Sequence, residues 1–284
     1  MVNIITPTTG IFSGISNEDY HSGAGVSKSD LDNIHRSPAH YVAAKLQPKE
    51  ATSAMVIGAA IHSAILEPDL FSSLYAVAPN VDKRTKAGRE EHAAFELMCA
   101  NKGITPLTAD QQSIALAVRD AVYAFRPSRN LLTQCSGIAE QSVYWQESDL
   151  LSECGVTDDN QYFSKCRPDY LRDDNLVVDV KSTEDARSDN FRCSVAKYRY
   201  QVQQAYYSAG LKAIGRVPRS FVFLAVEKTP PYGIGIFTLD DEAVKLGRMA
   251  YRADLESFVR CKMADYWPGY PEEVQVIDLP KWAA

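Results

Sequence analysis

The residues best suited to chemistry lie in one short stretch, Arg167-Pro168-Asp169 followed by Asp179-Val180-Lys181. Leu176-Val177-Val178 precedes the second triplet, so Asp179 and Lys181 close a β-branched strand of the kind found in a core. Alternation along that strand turns Asp179 and Lys181 to one face and Val180 to the other. Asp169 ends the preceding strand, and a hairpin between the two strands brings its carboxylate toward the same face. Two carboxylates in such apolar company repel each other and resist desolvation unless a cation lies between them. Hard oxygen donors select Mg²⁺, with Mn²⁺ as a working substitute. A lysine two residues further on can hold a water nucleophile or steady the charge developing on a phosphate. An isolated Asp-x-Lys is a weak signal, because most such pairs are solvated surface charges.

Other residues add to the pattern. His62 lies in the small-residue, apolar run Gly58-Ala59-Ala60-Ile61-His62, and it is either a satisfied core histidine or a metal ligand. Gly58 would let that helix pack close to the site. Glu140 opens the strand before that of Asp169, as a further acidic member or as an exposed strand-start carboxylate. Gln203 and Tyr207 are four apart on a helix and share a face, from which they can reach the lysine or a phosphate.

The elements that must position these groups can be read from periodicity and punctuation. Helices are predicted over 28–46, capped by Ser27 or Ser29 and bent at Pro38, and over 53–66, 86–101 and 108–126. The texture changes near residue 138. Strands are predicted over 140–145, 162–171 and 176–180, then a helix over 194–213. Strands at 221–226 and 233–239 flank a Thr229-Pro230-Pro231 turn, and a helix over 240–264 closes the chain, with Gly247 weakening its first turns. The predicted fold class is α/β, a central mixed β-sheet flanked by helices with a helical N-terminal half. One domain is expected over 1–284, with a helical part at about 14–130 and a sheet-containing core at about 138–264.

Composition narrows the class. The 284 residues are 45% hydrophobic and 23% charged, as in an ordinary globular protein. No apolar run approaches the roughly 20 residues that span a bilayer, and residues 1–10 lack a signal-peptide pattern, so a cytoplasmic location is expected. Six scattered cysteines form no Cys-x-x-Cys pair and are read as free thiols, not as zinc ligands. The formal net charge of −6 requires any polyanion-binding surface to be a localised basic patch. Lys83, Arg84, Lys86 and Arg89 form the densest basic cluster, suited to contacting phosphates without reading bases. Lys28 and Ser29, at a helix start, suit a terminal phosphate.

Taken together, Gly58-x-x-x-His62, Arg167-Pro168-Asp169, Asp179-Val180-Lys181-Ser182 and Gln203-x-x-x-Tyr207 resemble the PD-(D/E)XK nucleases of RecB-like type. The closer likeness is to the nuclease domain of RecE-type exonucleases, running from about residue 14 to about 260 with Val26-Ser27-Lys28-Ser29 and Ser37-Pro38-Ala39-His40-Tyr41 in support. Relative to the longer family members, the resemblance is expected to cover the nuclease domain and not their large N-terminal region. The resemblance implies a central mixed sheet flanked by helices and a divalent-metal exonuclease that digests linear double-stranded DNA from 5′ ends, leaving 3′ tails. It implies His62, Asp169, Asp179 and the Val180 carbonyl as metal ligands, Lys181 as the catalytic lysine, and Gln203 and Tyr207 as its support. It also implies a homo-oligomeric, tetrameric ring around DNA and a RecT-like single-strand annealing partner. Competing expectations are a CRISPR-associated iron–sulfur nuclease, which the cysteine spacing does not suit, a DNA-binding scaffold without catalysis, and a metallohydrolase acting on another substrate.

Overall fold

A computed structural model describes residues 8–47, 51–159 and 161–279; residues 1–7, on which most of the N-terminal reading rests, lie outside them. Caps and prolines divide the front of the chain. A short strand β1 (Gly10–Phe12) leads to α1 (Asn17–Ser22), α2 (Lys28–Arg36) and α3 (Pro38–Leu46). Ser27 caps α2 in a reciprocal box with Asp30, while Ser37 and Pro38 end α2 and start α3. The predicted bent helix over 28–46 is therefore two helices. Next come α4 (Ser53–Leu66), α5 (Pro68–Leu74), β2 (Tyr75–Val77), α6 (Lys86–Lys102), β3 (Thr105–Leu107), α7 (Ala109–Ala124) and α8 (Arg126–Thr133). β2 and β3 pair in parallel, a contact between distant three-residue strands that periodicity cannot reveal.

Beyond residue 136 the chain builds two larger sheets. Its elements are β4 (Gly137–Ala139), β5 (Ser142–Trp145), α9 (Ser148–Glu153), β6 (Ser164–Cys166), β7 (Tyr170–Arg172) and β8 (Leu176–Thr183). They continue with α10 (Ser188–Tyr198), α11 (Tyr200–Ala213), β9 (Ser220–Glu227), β10 (Ile234–Phe237) and α12 (Asp241–Ala264). The main sheet has the order β10-β9-β8-β7-β4. β8 and β9 are parallel and the other pairs antiparallel, which makes it the mixed, helix-flanked sheet expected from the sequence. A second sheet has the order β1-β5-β6.

Two further predicted elements are divided and one is shortened, each at a residue of the site or next to it. The strand predicted over 162–171 is β6 and β7, which lie in different sheets, and the Arg167-Pro168-Asp169 step carries the chain across. Proline has no N–H to give a ladder, so it suits such a crossing. The strand predicted over 140–145 starts only at Ser142, because Glu140 has φ 51°, in the left-handed region. The helix predicted over 194–213 is α10 and α11, parted by Arg199 with φ 56°.

β8 is buried on both faces, as a near-continuous β-branched strand allows. Leu176, Val178 and Val180 share a core with Ile61, Ala64 and Ile65 of α4 and Val118 of α7. Val177 belongs to the opposite core, with Phe191 of α10, Val202 of α11 and Phe223 of β9. Each Val, Leu, Ile or Phe among them contributes roughly 1.5–3 kcal/mol through burial. Gly247 does not weaken α12; a Cβ there would fall 2.1 Å from the Gln201 carbonyl oxygen, so glycine is what lets α12 lie against α11. All six cysteines are free, with Cys99, Cys166 and Cys261 buried. No helix among the described residues is long and apolar enough to cross a membrane.

Candidate active site

The antiparallel pairing of β7 with β8 sets Tyr170 opposite Val178, and so carries Asp169, just before β7, toward Asp179 and Val180. Asp169 Oδ2 accepts the Val180 N–H at 2.7 Å. His62, near the end of α4, places Nδ1 3.4 Å from the same oxygen, with the Val180 backbone beside the ring. Glu140 joins them from the turn between β4 and β5, where its N–H donates to the Asp169 carbonyl at 3.1 Å. One ligand atom each from His62, Glu140 and Asp169 lie within 4.8 Å of one another. Gly58, one turn before His62, faces β8, and an added Cβ would make only ordinary contact, 3.7 Å from Ser182 Oγ. Close packing therefore does not require glycine there, contrary to the expectation from sequence.

The electrostatics of this group favour a cation. Burial, then the neighbouring Asp169, pushes the Glu140 carboxyl up to about 8. Burial also raises Asp169, against the pull of Lys181 and the Val180 N–H. Burial and the Lys181 charge lower His62 to about 4, which leaves its imidazole neutral with a lone pair available. Two crowded carboxylates, a neutral imidazole and a nearby carbonyl oxygen make a donor set that fits a divalent metal ion.

Asp179 points the other way, into the α11 side of the sheet, and is fully buried. Gln203 Nε2 of α11 donates to its Oδ1 at 2.6 Å. Its Oδ2 lies 2.5 Å from Lys181 Nζ but receives no aligned hydrogen bond, so the contact is an ion pair. Burial raises the Asp179 carboxyl to about 6, with Lys181 opposing. Burial works against the Lys181 ammonium too, yet the charges of Asp179 and Asp169 outweigh it and hold its pKa above the usual lysine value. In the protein alone, then, Glu140 and not Asp179 is the carboxylate beside Asp169. Tyr207, one turn beyond Gln203, sets its ring 6.5 Å from that of Phe221, and burial drives its hydroxyl well above the usual tyrosine range.

Residues 27–280 match the family described as a PDDEXK-like domain of unknown function (DUF3799). This chain belongs to that family. Its fold is shared with a Eubacterium rectale protein whose crystal structure is named "Putative exonuclease", at 13% sequence identity and a TM-score of 0.60, over 95% of this chain and 96% of that one. No curated protein matches the sequence. Asp169, just before β7, and Asp179 and Lys181, on β8, are the residues through which the sequence resembles the PD-(D/E)XK nucleases.

In this PDDEXK-like chain the basic residues singled out by sequence lie apart from that hairpin. Lys83, Arg84, Lys86 and Arg89 cluster in exposed positions at the start of α6. Arg84 is paired with Asp82 and Lys86 with Glu90, while Arg89 donates to the Arg84 carbonyl at 2.9 Å. Lys28 stands closer: its Nζ lies 2.6 Å from Asp32 and donates to the Tyr198 carbonyl at 2.6 Å. Ser29 is exposed on the first turn of α2. Sequence reasoning missed Tyr200, whose ring lies 4.8 Å from Lys181 Nζ. The signal was present, because Tyr200, Gln203 and Tyr207 repeat at helical spacing and the run extends one step upstream of the pair recognised. It also missed Arg167 as an anchor; its buried guanidinium binds Ser142 Oγ, Asn17 Oδ1 and the Ile15 carbonyl.

Proposed function

We propose that this chain is a divalent-metal-dependent exonuclease that digests linear double-stranded DNA from 5′ ends and leaves 3′ single strands for recombination by annealing. One observation carries the reading: a three-donor group, His62, Glu140 and Asp169, lies across β8 from the ion pair of buried Asp179 with Lys181. A divalent cation bound there, Mg²⁺ or Mn²⁺, supplies Lewis acidity and neutralises charge building on a phosphodiester. The chain's own groups do the rest. Lys181 holds a permanent positive charge at the mouth of the site and donates to a phosphate oxygen or steadies the attacking water. Asp179 and Gln203 fix where that ammonium points, and His62, kept neutral, presents a nitrogen lone pair.

The choice of DNA, the 5′ polarity, the homo-oligomeric ring and the RecT-like annealing partner rest on the resemblance to RecE-type exonucleases. A closed ring supplies processivity by topology, which suits a chain of net charge −6. The test is digestion of linear duplex labelled at the 5′ or the 3′ end, with Mg²⁺, with Mn²⁺ and with EDTA. Early release of the 5′ label only, abolished by EDTA and lowered about 10²–10³-fold in Lys181→Met, is expected. No digestion with either metal would reduce the chain to a scaffold, and full activity in Lys181→Met would overturn the site assignment.

A further inference from the structure

A cleft of about 370 Å³ opens beside Lys181, lined by Lys181, Tyr198, Tyr200, Lys197, Lys228 and Asn190 among others. A larger cleft, about 650 Å³, lies between α11 and α12 on the side of α11 away from Gln203 and holds none of the candidate groups. The smaller one is the one that adjoins the chemistry, and its wall is aromatic. Phe223, fully buried, stacks on Tyr200 with ring centroids 5.8 Å apart and planes at 23°. Tyr200 stacks in turn on Tyr198, at 5.7 Å and 25°. The stack begins in the core and ends on Tyr198, which is 48% exposed.

That outermost ring is held in place from several directions. Arg199 takes its left-handed conformation between the two tyrosines because its guanidinium is fixed by Asp32 at 3.0 Å and Asp254 at 2.5 Å. Lys28 grips the Tyr198 carbonyl. A non-glycine residue persists at positive φ only where its surroundings over-determine it. The charges of the cleft are arranged around the ring. Glu184 is engaged by Lys228, and Asp185 by Arg187 and Asn190. Among the described residues Lys197 has no carboxylate partner, and its ammonium sits 5.1 Å from the Tyr198 ring centroid. A cation over an exposed ring is held more weakly than a stacked base, so Lys197 can swing to a phosphate when a base takes the ring.

We propose that Tyr198 is a stacking platform for one unpaired nucleobase of the strand whose phosphodiester lies at Lys181, with Lys197 beside the flanking phosphate. This rests on the nuclease reading above and adds to it a substrate form: a duplex end with its terminal base splayed out of the helix. A fixed aromatic face accepts any base, as a nuclease without sequence preference needs.

The test is binding of the full chain in EDTA to fluorescent duplexes with frayed ends, each matched to a probe with one abasic site among the first three nucleotides of either end. Wild type is expected to lose about tenfold in affinity for an abasic site at one position. Tyr198→Ala and Tyr198→Leu are expected to bind base-bearing and abasic probes alike, whereas Tyr198→Trp keeps the discrimination. Tyr198→Leu retains an apolar contact on Tyr200, so a merely structural role would leave the abasic effect intact in that variant and would overturn the platform. Wild type that digests DNA without discriminating at any position would refute the platform alone. Wild type that neither binds nor digests would remove the nuclease reading, and this inference with it.

Discussion

Glu140→Gln isolates the electrostatic load of the metal-compatible group. Glu140 is raised from its ordinary 4.5 to about 8 by burial and by Asp169. A carboxyl whose folded pKa exceeds its unfolded value holds its proton better when folded. The metal-free protein therefore loses stability from this group as pH rises from about 4.5 to about 8. At about 1.4 kcal/mol per pH unit that interval amounts to no more than about 5 kcal/mol, and partial exposure of the side chain lowers it to about 2–3 kcal/mol. Glutamine keeps the shape and does not ionise. Thermal unfolding in EDTA should show wild type falling progressively below Glu140→Gln between pH 5 and pH 8.5, the difference cancelling the contributions of His62 and Asp179, which titrate in both. The same shift leaves roughly nine-tenths of Glu140 protonated at pH 7, so metal binding should release close to one proton from it. Calorimetry with Mn²⁺ in buffers of different ionisation heat measures that proton, and it should be largely lost in Glu140→Gln along with most of the affinity. Parallel unfolding curves across the pH range, or equal proton release in the two proteins, would refute the reasoning.

Two further outcomes follow from packing. Gln203→Leu strips the donor from buried Asp179 Oδ1 and should cost about 1–3 kcal/mol in denaturant unfolding, with single-turnover digestion slowed about tenfold as Lys181 loses its fixed partner. Gly247→Ala drives a methyl into the Gln201 carbonyl and should destabilise by about 1–3 kcal/mol, measured by the unfolding midpoint, without shifting the proton release on metal binding.

What was legible in the sequence were features carried by local pattern. The run Leu176 to Val180 declared itself as a buried strand, and alternation alone put Asp179 and Lys181 on one face. α4, α7 and α12 were readable from their apolar spacing and from Pro68 or the caps at their ends. The divided elements were not readable, because the propensities on either side of each break agree. Arg199 is an ordinary helix former, and only the distant Asp32 and Asp254 impose its left-handed turn. Glu140 looked like the first residue of a strand, while its carbonyl neighbour across the sheet, that of Asp169, holds it in a turn. The site shows the same limit. The sequence offered Asp169 and Asp179 as a converging pair, but the pleat of β8 turns Asp179 to the α11 side, where Gln203, 24 positions away, binds it.

The crossing at Pro168 bears on when during folding the chain can first act. His62 and Asp169 are more than a hundred residues apart in the chain, and Glu140 reaches Asp169 only once the segment between two sheets is in place. Contacts of such long range close late, since loop entropy must be met before they form. A partly folded or nascent chain thus carries the donors scattered and unable to hold an ion together. If the proposed nuclease function holds, topology alone withholds the activity during synthesis, and competence arrives in the same event as the finished tertiary structure.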